Sequence, residues 1–386
     1  MRWRRWIGLL LLTAMVVLGL RLRSSPSAPS PAAPAGVARA RTLPAALAPR
    51  LAAPAPTDGV AAGEESTVAE RRLERAERTL ETYRQSTRYP PDSQPMRRHP
   101  DMEQPHFVPA VPYPLAHHDG RHSGARVTVR QDRRFLVADE TAALSLECSS
   151  GDGAESCQVL GAYARRLVSP LFEGRSEGVR VAFQEQEPGL HVATFQPSRQ
   201  GFAGYAGLIR IDLTVRMGNE QGATGFQLEY TPEAPATFTG RIDEALEHGS
   251  VLLRIGLLVA RQGRYVLHAR LDDATGNTVA LLTFNDLLGS GDQVAVMPLF
   301  GRLLLDERPA QPWHLRDLEG FRLLEDATPD RELMAMRAGR LHTTRRYTAS
   351  ELSPDEWQSE QKTRYLGALT ADVERARREV EAQHGP

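Results

Sequence analysis

The stretch that decides the fold is Tyr265-Val-Leu-His-Ala-Arg-Leu271, then Asp272-Asp-Ala-Thr-Gly-Asn277, then Val279-Ala-Leu-Leu-Thr-Phe284. The two outer runs are short and apolar, which is typical of strands bounded by turn residues. Gly276 and Asn277 tolerate positive φ, so the central segment predicts a hairpin turn. Asp- and Asn-rich turns also occur in calcium loops, but this one lacks a terminal bidentate acid. The pattern favours a hairpin.

Similar short runs extend in both directions from this hairpin. Because Gly, Pro, Asp and Ser interrupt them at short intervals, they indicate sandwich architecture and not alternating β/α units. We predict a mainly β fold with two tandem Ig-like β-sandwich modules, residues 125–230 and 231–327. The further runs are residues 126–130, 142–147, 178–183, 191–195 and 208–215 in the first module, and 236–242, 251–259 and 293–305 in the second.

Two helices are predicted to flank the β modules, one in residues 65–86 and one in the tail, residues 328–386. The first has a capping box, Thr67 with Glu70, and a one-sided apolar seam. We expect it to dock on the β body, with pairing of the two helices or contact with another copy as alternatives. The tail helix is predicted to start near Ser353, and its seam is the candidate partner-binding surface and a route to a homo-oligomer. That candidate surface comprises Leu366, Leu369, Val373 and Val380.

The N-terminal 23 residues have the pattern of an export signal. Arg2, Arg4 and Arg5 precede an uncharged apolar run over residues 6–20. No small-residue cleavage site follows directly, which favours an uncleaved anchor over a cleaved signal. We therefore predict a single-pass protein of the inner (cytoplasmic) membrane with its body in the periplasm or extracytoplasmic space. The Pro/Ala-rich residues 24–64 are predicted to be an extended linker.

The net charge and the cysteine content bear on the possible ligands and on the cross-linking of the chain. The 386 residues carry a formal net charge of −1, which gives no basic field for nucleic acid. The only cysteines, Cys148 and Cys157, lie nine positions apart. In an exported chain such a pair favours a disulfide, and a metal site is the weaker alternative.

Three local motifs suggest chemistry or ligands, and each has a simpler explanation. In the Pro/His-rich residues 87–124, His117, His118, Asp119 and His122 resemble metal ligands, although surface histidines in a loop are commoner. Ser176 sits in a G-x-S-x-G pattern, but a strand pattern follows where a hydrolase needs a helix. We predict no cofactor, and we expect that the protein is not an enzyme.

The third motif is the Gly/aromatic loop at residues 201–207. Phe202 and Tyr205 could contact a ligand there, or their rings could fold back on the core. Glycan binding is a further alternative. The aromatic content of 6% is low for a sugar-binding surface.

Two stretches resemble a known family. Thr87-Arg-Tyr-Pro-Pro-Asp-Ser-Gln-Pro95 is similar to a segment that precedes β domains in some bacterial envelope proteins. Phe238-Thr-Gly-Arg-Ile242, Gly249-Ser-Val251 and Gly263-Arg-Tyr265 resemble the pattern of the choice-of-anchor X domain. The resemblance covers residues 87–325 and implies a bacterial cell-envelope protein with Ig-like modules and no known chemistry.

Together these patterns predict a membrane-tethered exported protein that acts in protein binding or envelope scaffolding. Its expected partner is another envelope protein, which the sequence does not identify. A hydrolase or metal-dependent envelope enzyme and a glycan-binding module are the alternatives.

Overall fold

The chain is mainly β, as predicted. The computed structural model describes residues 68–104, 107–117, 124–151, 153–167 and 178–383, and within them it contains three α-helices and 20 strands. The helices are α1 (Val68–Ser86), α2 (Gly301–Glu307) and α3 (Glu360–Gln383). The strands are β1 (Ser93–Pro95), β2 (Val111–Pro114), β3 (Ala116–His117), β4 (Ala125–Gln131), β5 (Phe135–Val137), β6 (Ala142–Ser150), β7 (Gly153–Ala154), β8 (Gln158–Arg166), β9 (Val179–Arg180), β10 (Gln184–Glu187), β11 (Leu190–Phe195), β12 (Gly207–Met217), β13 (Glu220–Thr231), β14 (Ala236–Glu247), β15 (Ser250–Val259), β16 (Gly263–Asp272), β17 (Thr278–Leu288), β18 (Gly291–Leu299), β19 (His314–Leu323) and β20 (Arg331–Thr343).

The first module consists of two sheets that share one apolar core. One sheet has the order β10-β11-β6-β4-β2, with β7 on β6, and the other has the order β3-β13-β12-β8-β9, with β5 on β13. Strict alternation along β12 turns Ile209, Ile211, Leu213 and Val215 inward, all buried. This two-residue period is what the sequence shows, because successive side chains of a strand point to opposite faces.

The second module has a five-stranded sheet, β1-β17-β16-β19-β20, and a three-stranded sheet, β14-β15-β18. Their inner faces meet in a core that includes Leu253, Ile255, Leu267 and Leu282. The hairpin predicted from the opening stretch is present as β16 and β17. The Asp273 carboxylate accepts the backbone N–H of Thr275, at 2.8 Å, and that of Asn277, at 3.0 Å, so it stabilises the turn itself.

Two strands of the second module lie outside residues 231–327, the boundaries expected for it. β1 precedes the first module in sequence, and its Ser93 pairs with Leu282 of β17. β20 lies in the expected tail, and its Leu333 pairs with Phe321 of β19. The second module therefore combines segments from both sides of the first. β1 has only three residues and β20 carries many polar ones, so neither has a clear strand pattern.

The first helix does not dock on the β body as expected, because α1 and α3 pack antiparallel against each other. Arg72 pairs with Glu379 near one end, at 2.9 Å, and the rings of Tyr83 and Tyr365 lie 5.9 Å apart near the other. Each helix has one narrow apolar seam, and the pairing covers both seams.

The predicted partner-binding residues of the tail helix therefore belong to an intramolecular seam. Val373 is buried, and Leu369 lines the same shallow depression as Ala76 of α1. Leu366 and Val380 are half-buried on the same helix. This corrects the expectation that the seam is free for a partner, and it leaves association of copies a prediction.

The tail helix also starts later than expected, at Glu360 and not near Ser353. The N–H of Ser353 donates to the carbonyl of Gly249, at 2.9 Å, which ties this segment to the β14–β15 turn. The backbone here pairs with the module and does not form the first turn of a helix.

Among the helices of the described residues, none is long and apolar enough to cross a membrane. The predicted anchor, residues 1–23, and the linker, residues 24–64, lie outside the described part of the chain. The membrane topology therefore stays a prediction.

The predicted disulfide is confirmed. Cys148 on β6 and Cys157 before β8 are bonded, with their Cα atoms 6.3 Å apart. Cys148 is fully buried in the first core, so the bond joins the two sheets of this module. His191 is also buried there, and its Nε2 lies 3.1 Å from the Cys157 carbonyl.

Candidate functional site

A cleft of about 520 Å³ lies where the two modules meet. The first module contributes β5 and the β4–β5 turn, and the second contributes β16, β19, β20 and the 3₁₀ turn Pro100–Met102. Its surface is largely apolar and rich in methionine and phenylalanine. The apolar lining includes Met102, Phe135, Phe321, Leu333, Met334 and Met336.

The first-module wall is held by a short parallel strand. β5 pairs parallel with the end of β13, and Leu136 inserts fully into the first core. Beyond it, Ala138 donates its N–H to the Thr231 carbonyl, at 2.9 Å, and accepts the Tyr230 hydroxyl, at 3.0 Å. These bonds fix the position of Phe135, which stays partly exposed at the cleft.

A buried hydrogen bond joins the two modules beside the cleft. The N–H of Leu333, on β20, donates to the hydroxyl of Thr231 at the end of β13, at 2.9 Å. Next to it, the Arg331 guanidinium stacks 4.9 Å from the centre of the Phe321 ring. A cation over an aromatic face is attractive, so this contact orients Phe321 in the cleft.

The remaining wall is held by a buried arginine. Arg270, on β16, has no exposed surface, and its Nε donates to the Met102 carbonyl at 2.7 Å. Its Nη1 donates to the Asp317 carbonyl at 3.1 Å, and its Nη2 lies 2.6 Å from a carboxylate oxygen of Glu319. A buried charge needs such partners, and here they place Met102 beside the sheet.

His268 lines the cleft on the same strand. Burial, together with smaller contributions from the nearby Arg270 and His99, lowers its pKa to about 4. Its Nδ1 lies 3.2 Å from the Thr283 hydroxyl. At neutral pH the imidazole is therefore uncharged and adds no positive charge to the cleft.

Charges of both signs surround the apolar lining. Arg133 lies 3.5 Å from Asp132 and 3.8 Å from Glu140. Glu229 is nearby on β13, and burial raises the pKa of its carboxyl against the opposing effect of Arg331. An apolar centre with a polar rim is the usual anatomy of a protein-binding surface.

The polar groups that line the cleft are carboxylates, arginines and the imidazole of His268. No serine, threonine or cysteine of the described residues lines it. Across that same part of the chain, no three His, Cys, Asp or Glu side chains are close enough to hold a metal ion. The site can exclude water from apolar groups and orient polar ones, which is binding chemistry.

The residues of the predicted hydrolase and metal motifs are not among the side chains that the structure describes. Ser176, His118, Asp119 and His122 are outside the described residues, and His117 is described only as part of the backbone of β3. The hydrolase and metal alternatives thus stay predictions.

The Gly/aromatic loop folds back on the core. Phe202 is 2% exposed and packs edge-on against Phe195, with ring centres 5.9 Å apart. The Tyr205 hydroxyl donates to the Leu208 carbonyl at 2.8 Å. Phe202 therefore cannot meet a ligand at the surface, which corrects the ligand-loop prediction for that residue.

Sequence reasoning missed the cleft because its residues come from distant segments. Met102 and Phe135 belong to different predicted regions, and residues 333–336, Leu-Met-Ala-Met, fall in the expected tail. The only local signal was this concentration of methionines.

Comparison with known proteins finds likeness to solved structures alone. No family model and no curated protein matches the chain. A DUF4785 family protein from Legionella pneumophila is 11% identical, with a TM-score of 0.42, over 56% of this chain and 57% of that one. The Yersinia pseudotuberculosis adhesin InvE is 12% identical, with a TM-score of 0.18, over 56% and 58%. The BSP domain of a biofilm-associated protein is 11% identical, with a TM-score of 0.17, over 54% and 29%.

In each comparison the match spans less than two thirds of the other protein. With TM-scores below 0.5, these likenesses assign no ligand, partner or activity. With no matching family model, the choice-of-anchor X resemblance stays a prediction.

Proposed function

We propose that this chain is an exported, membrane-tethered binding or scaffolding protein that holds a partner protein of the cell envelope in the cleft between its modules. The observation that carries this proposal is the cleft lining of methionine and phenylalanine side chains inside a charged rim. We further propose the predicted topology, with the body in the periplasm and the N-terminal segment in the membrane.

The size and composition of the cleft suit an apolar protein segment. A volume of about 520 Å³ holds several side chains. Met102 and Met336 are half-buried, and unbranched methionine side chains adapt to the shape of what they contact. The surrounding charges favour one orientation of the partner more than they add affinity.

The joint between the modules keeps the cleft formed without a partner. The Leu333–Thr231 hydrogen bond connects the two modules, and the Arg270 contacts hold the Met102 wall against the sheet of the second module. A preformed site loses less conformational entropy on binding than one that must be ordered by its partner.

Export is supported by the cysteine chemistry. The Cys148–Cys157 bond is of a kind that persists in oxidising compartments such as the bacterial periplasm. The predicted linker, residues 24–64, would then separate the modules from the membrane.

Site-specific photocrosslinking of the membrane-inserted full chain tests the proposal. A photoreactive residue at Ala338, in the cleft, is compared with one at Leu258, an exposed position on β15. We expect a discrete adduct from position 338 that Met336→Glu abolishes and Leu258→Glu leaves unchanged. Identical adducts from both positions, or adducts insensitive to Met336→Glu, would refute binding in the cleft.

A further inference from the structure

A second surface lies on the side of the second module away from β20. A groove of about 830 Å³ runs between β17 and β18, which follow each other in the chain but belong to different sheets. Pro90, Pro91 and Trp357 line the groove together with these strands. The sandwich is open here because β1 is too short to cover the length of β17.

The register shows which backbone groups of β18 point into the open. The Ala260 N–H donates to the Pro235 carbonyl at 2.9 Å. The backbone N–H and C=O groups of even-numbered residues of β15 therefore point towards β14, and those of odd-numbered residues point towards β18. Leu257 pairs with Gln293, and the pairing of β15 with β18 continues without a bulge. Odd-numbered residues of β18 therefore bond to β15.

The even-numbered residues of β18 direct their backbone groups outward. These are Asp292, Val294, Val296 and Pro298, and within the described residues no strand pairs with them. Pro298 has no backbone N–H, so it leaves no unpaired donor at this edge. An edge with unpaired N–H and C=O groups is a template for another strand.

The opposite wall of the groove is β17, and part of its backbone is already hydrogen-bonded. Thr283 of β17 donates its N–H to the Asp92 carbonyl at 2.9 Å, next to the three pairs made by β1. Further along, the Leu287 N–H is satisfied by the side chain of Asp286, at 2.7 Å. β17 is therefore less available for pairing than β18.

The charge of the groove indicates what kind of strand fits. Asp92 and Asp286 line it, and no Lys, Arg or His does among the residues that the structure describes. One oxygen of the Asp92 carboxylate is buried and has no hydrogen-bond partner. Beside them are exposed apolar side chains, Leu287, Val294 and Val296, at 73%, 41% and 38%.

We infer that this groove binds an extended peptide segment with basic side chains, which adds to β18 as a further strand. Backbone hydrogen bonds to Val294 and Val296 supply affinity, and a basic side chain pairs with Asp92. Alternate apolar side chains of the segment contact the two valines. This surface is separate from the inter-module cleft, so the inference does not depend on the proposed function.

The test uses the full chain in detergent and a fluorescein-labelled octapeptide of alternating valine and arginine. Fluorescence anisotropy measures binding, and hydrogen exchange of the chain reports which amides become protected. We expect binding that weakens with salt, and protection within residues 291–296. Protection should be absent from β14, an edge strand of the same sheet that serves as an internal control.

Substitution at one residue separates strand addition from simple charge attraction. Val294→Pro removes an outward N–H but leaves the bonds to β15, whereas Val294→Ala keeps the N–H. The loss of one backbone hydrogen bond and local fit should weaken binding about tenfold for the proline variant. The alanine variant should bind within about threefold of the original chain.

Three further measurements test the inference even if Val294→Pro perturbs folding. Asp92→Asn should weaken binding of the arginine peptide, and a valine–glutamate peptide should not bind. Met336→Glu, in the cleft, should bind the arginine peptide like the original chain. Equal binding by the proline and alanine variants, or no protection of β18, would overturn the inference. The inference would also be overturned if the chain bound no peptide but associated with itself, and Val294→Pro abolished that association, because a second copy would then be the occupant.

Discussion

Arg88 and Asp306 form a two-point ion pair that connects the base of the helix pair to the second module. Nε of Arg88 lies 2.8 Å from one carboxylate oxygen and Nη2 lies 3.0 Å from the other. The Tyr89 hydroxyl donates to the same carboxylate at 2.9 Å. Burial alone raises the pKa of Asp306, but these bonds and one from Arg302 outweigh it, so its pKa lies below the ordinary 3.8.

Asp306→Asn should therefore destabilise the chain in a pH-dependent way. Because the folded-state pKa is depressed, the stabilisation is present above pH 3.8 and is lost as the pH falls through the folded value. At neutral pH we expect a loss of ~1–2 kcal/mol in the free energy of unfolding, since the pair is partly exposed. Urea unfolding at pH 7 and pH 3 measures it.

Asp372→Asn is the matched control for this prediction. Asp372 pairs with Arg375 at 2.9 Å on the exposed surface of α3, and such pairs contribute ~0.5 kcal/mol or less. An equal effect of the two variants, or an Asp306→Asn effect that is as large at pH 3 as at pH 7, would contradict the role given to Asp306.

The helix seam gives a second prediction. Leu369→Glu with Val373→Glu places two charges in the contact between α1 and α3. Most of the stability of a helix in a protein comes from packing of its amphipathic face, so both helices should lose structure together. Circular dichroism at 222 nm should fall, while the melting of the β modules stays nearly unchanged.

Ala368→Glu and Ala371→Glu, on the exposed side of α3, are the controls and should leave helicity intact. If the seam variant kept its helical signal and lost only self-association, the seam would serve contact between copies and not the pairing seen here.

Sequence patterns predict those features of this fold that depend on residues close together in the chain. β12 and β15 alternate over many residues, so their patterns identify strands without tertiary information. The disulfide is predictable because Cys148 and Cys157 are close in sequence and have no other cysteine to pair with. Both signals are local.

What the sequence does not predict depends on contacts between distant segments. The three residues of β1 become a strand only because β17 offers an edge to them. Pairing of α1 with α3 joins residues about 300 positions apart, and the seams alone do not say which surface covers them. The cleft also depends on contacts between distant segments, because Arg270 holds Met102 in its wall.

The disulfide gives a third prediction. Replacing Cys148 and Cys157 together by alanine opens a loop with a sequence separation of nine. In the chain-entropy model such a loop contributes ~2–3 kcal/mol, so the double variant should lose about that much stability. Unfolding of the original chain with a thiol reductant present should approach that of the variant. Two alkylatable thiols in the untreated protein would show that the bond does not form.

His268 gives the last prediction. Its pKa of about 4 in the folded chain is below the ordinary 6.5, mainly because of burial. Between these values the unfolded chain binds more protons than the folded one, so stability falls as the pH decreases from 6.5 towards 4. His268→Gln removes the titrating group and keeps a side chain able to bond with Thr283. The original chain should lose up to ~3 kcal/mol more than this variant over that pH interval.

His248, an exposed residue in the β14–β15 turn, supplies the control. His248→Gln should retain the pH dependence of the original chain, because it leaves His268 and its surroundings unchanged. Urea unfolding at pH 7, 5.5 and 4 measures all three proteins. Parallel curves for the original chain and His268→Gln would show that the pKa of His268 is the same in the folded and unfolded chains, which would contradict an imidazole kept uncharged by burial in the cleft.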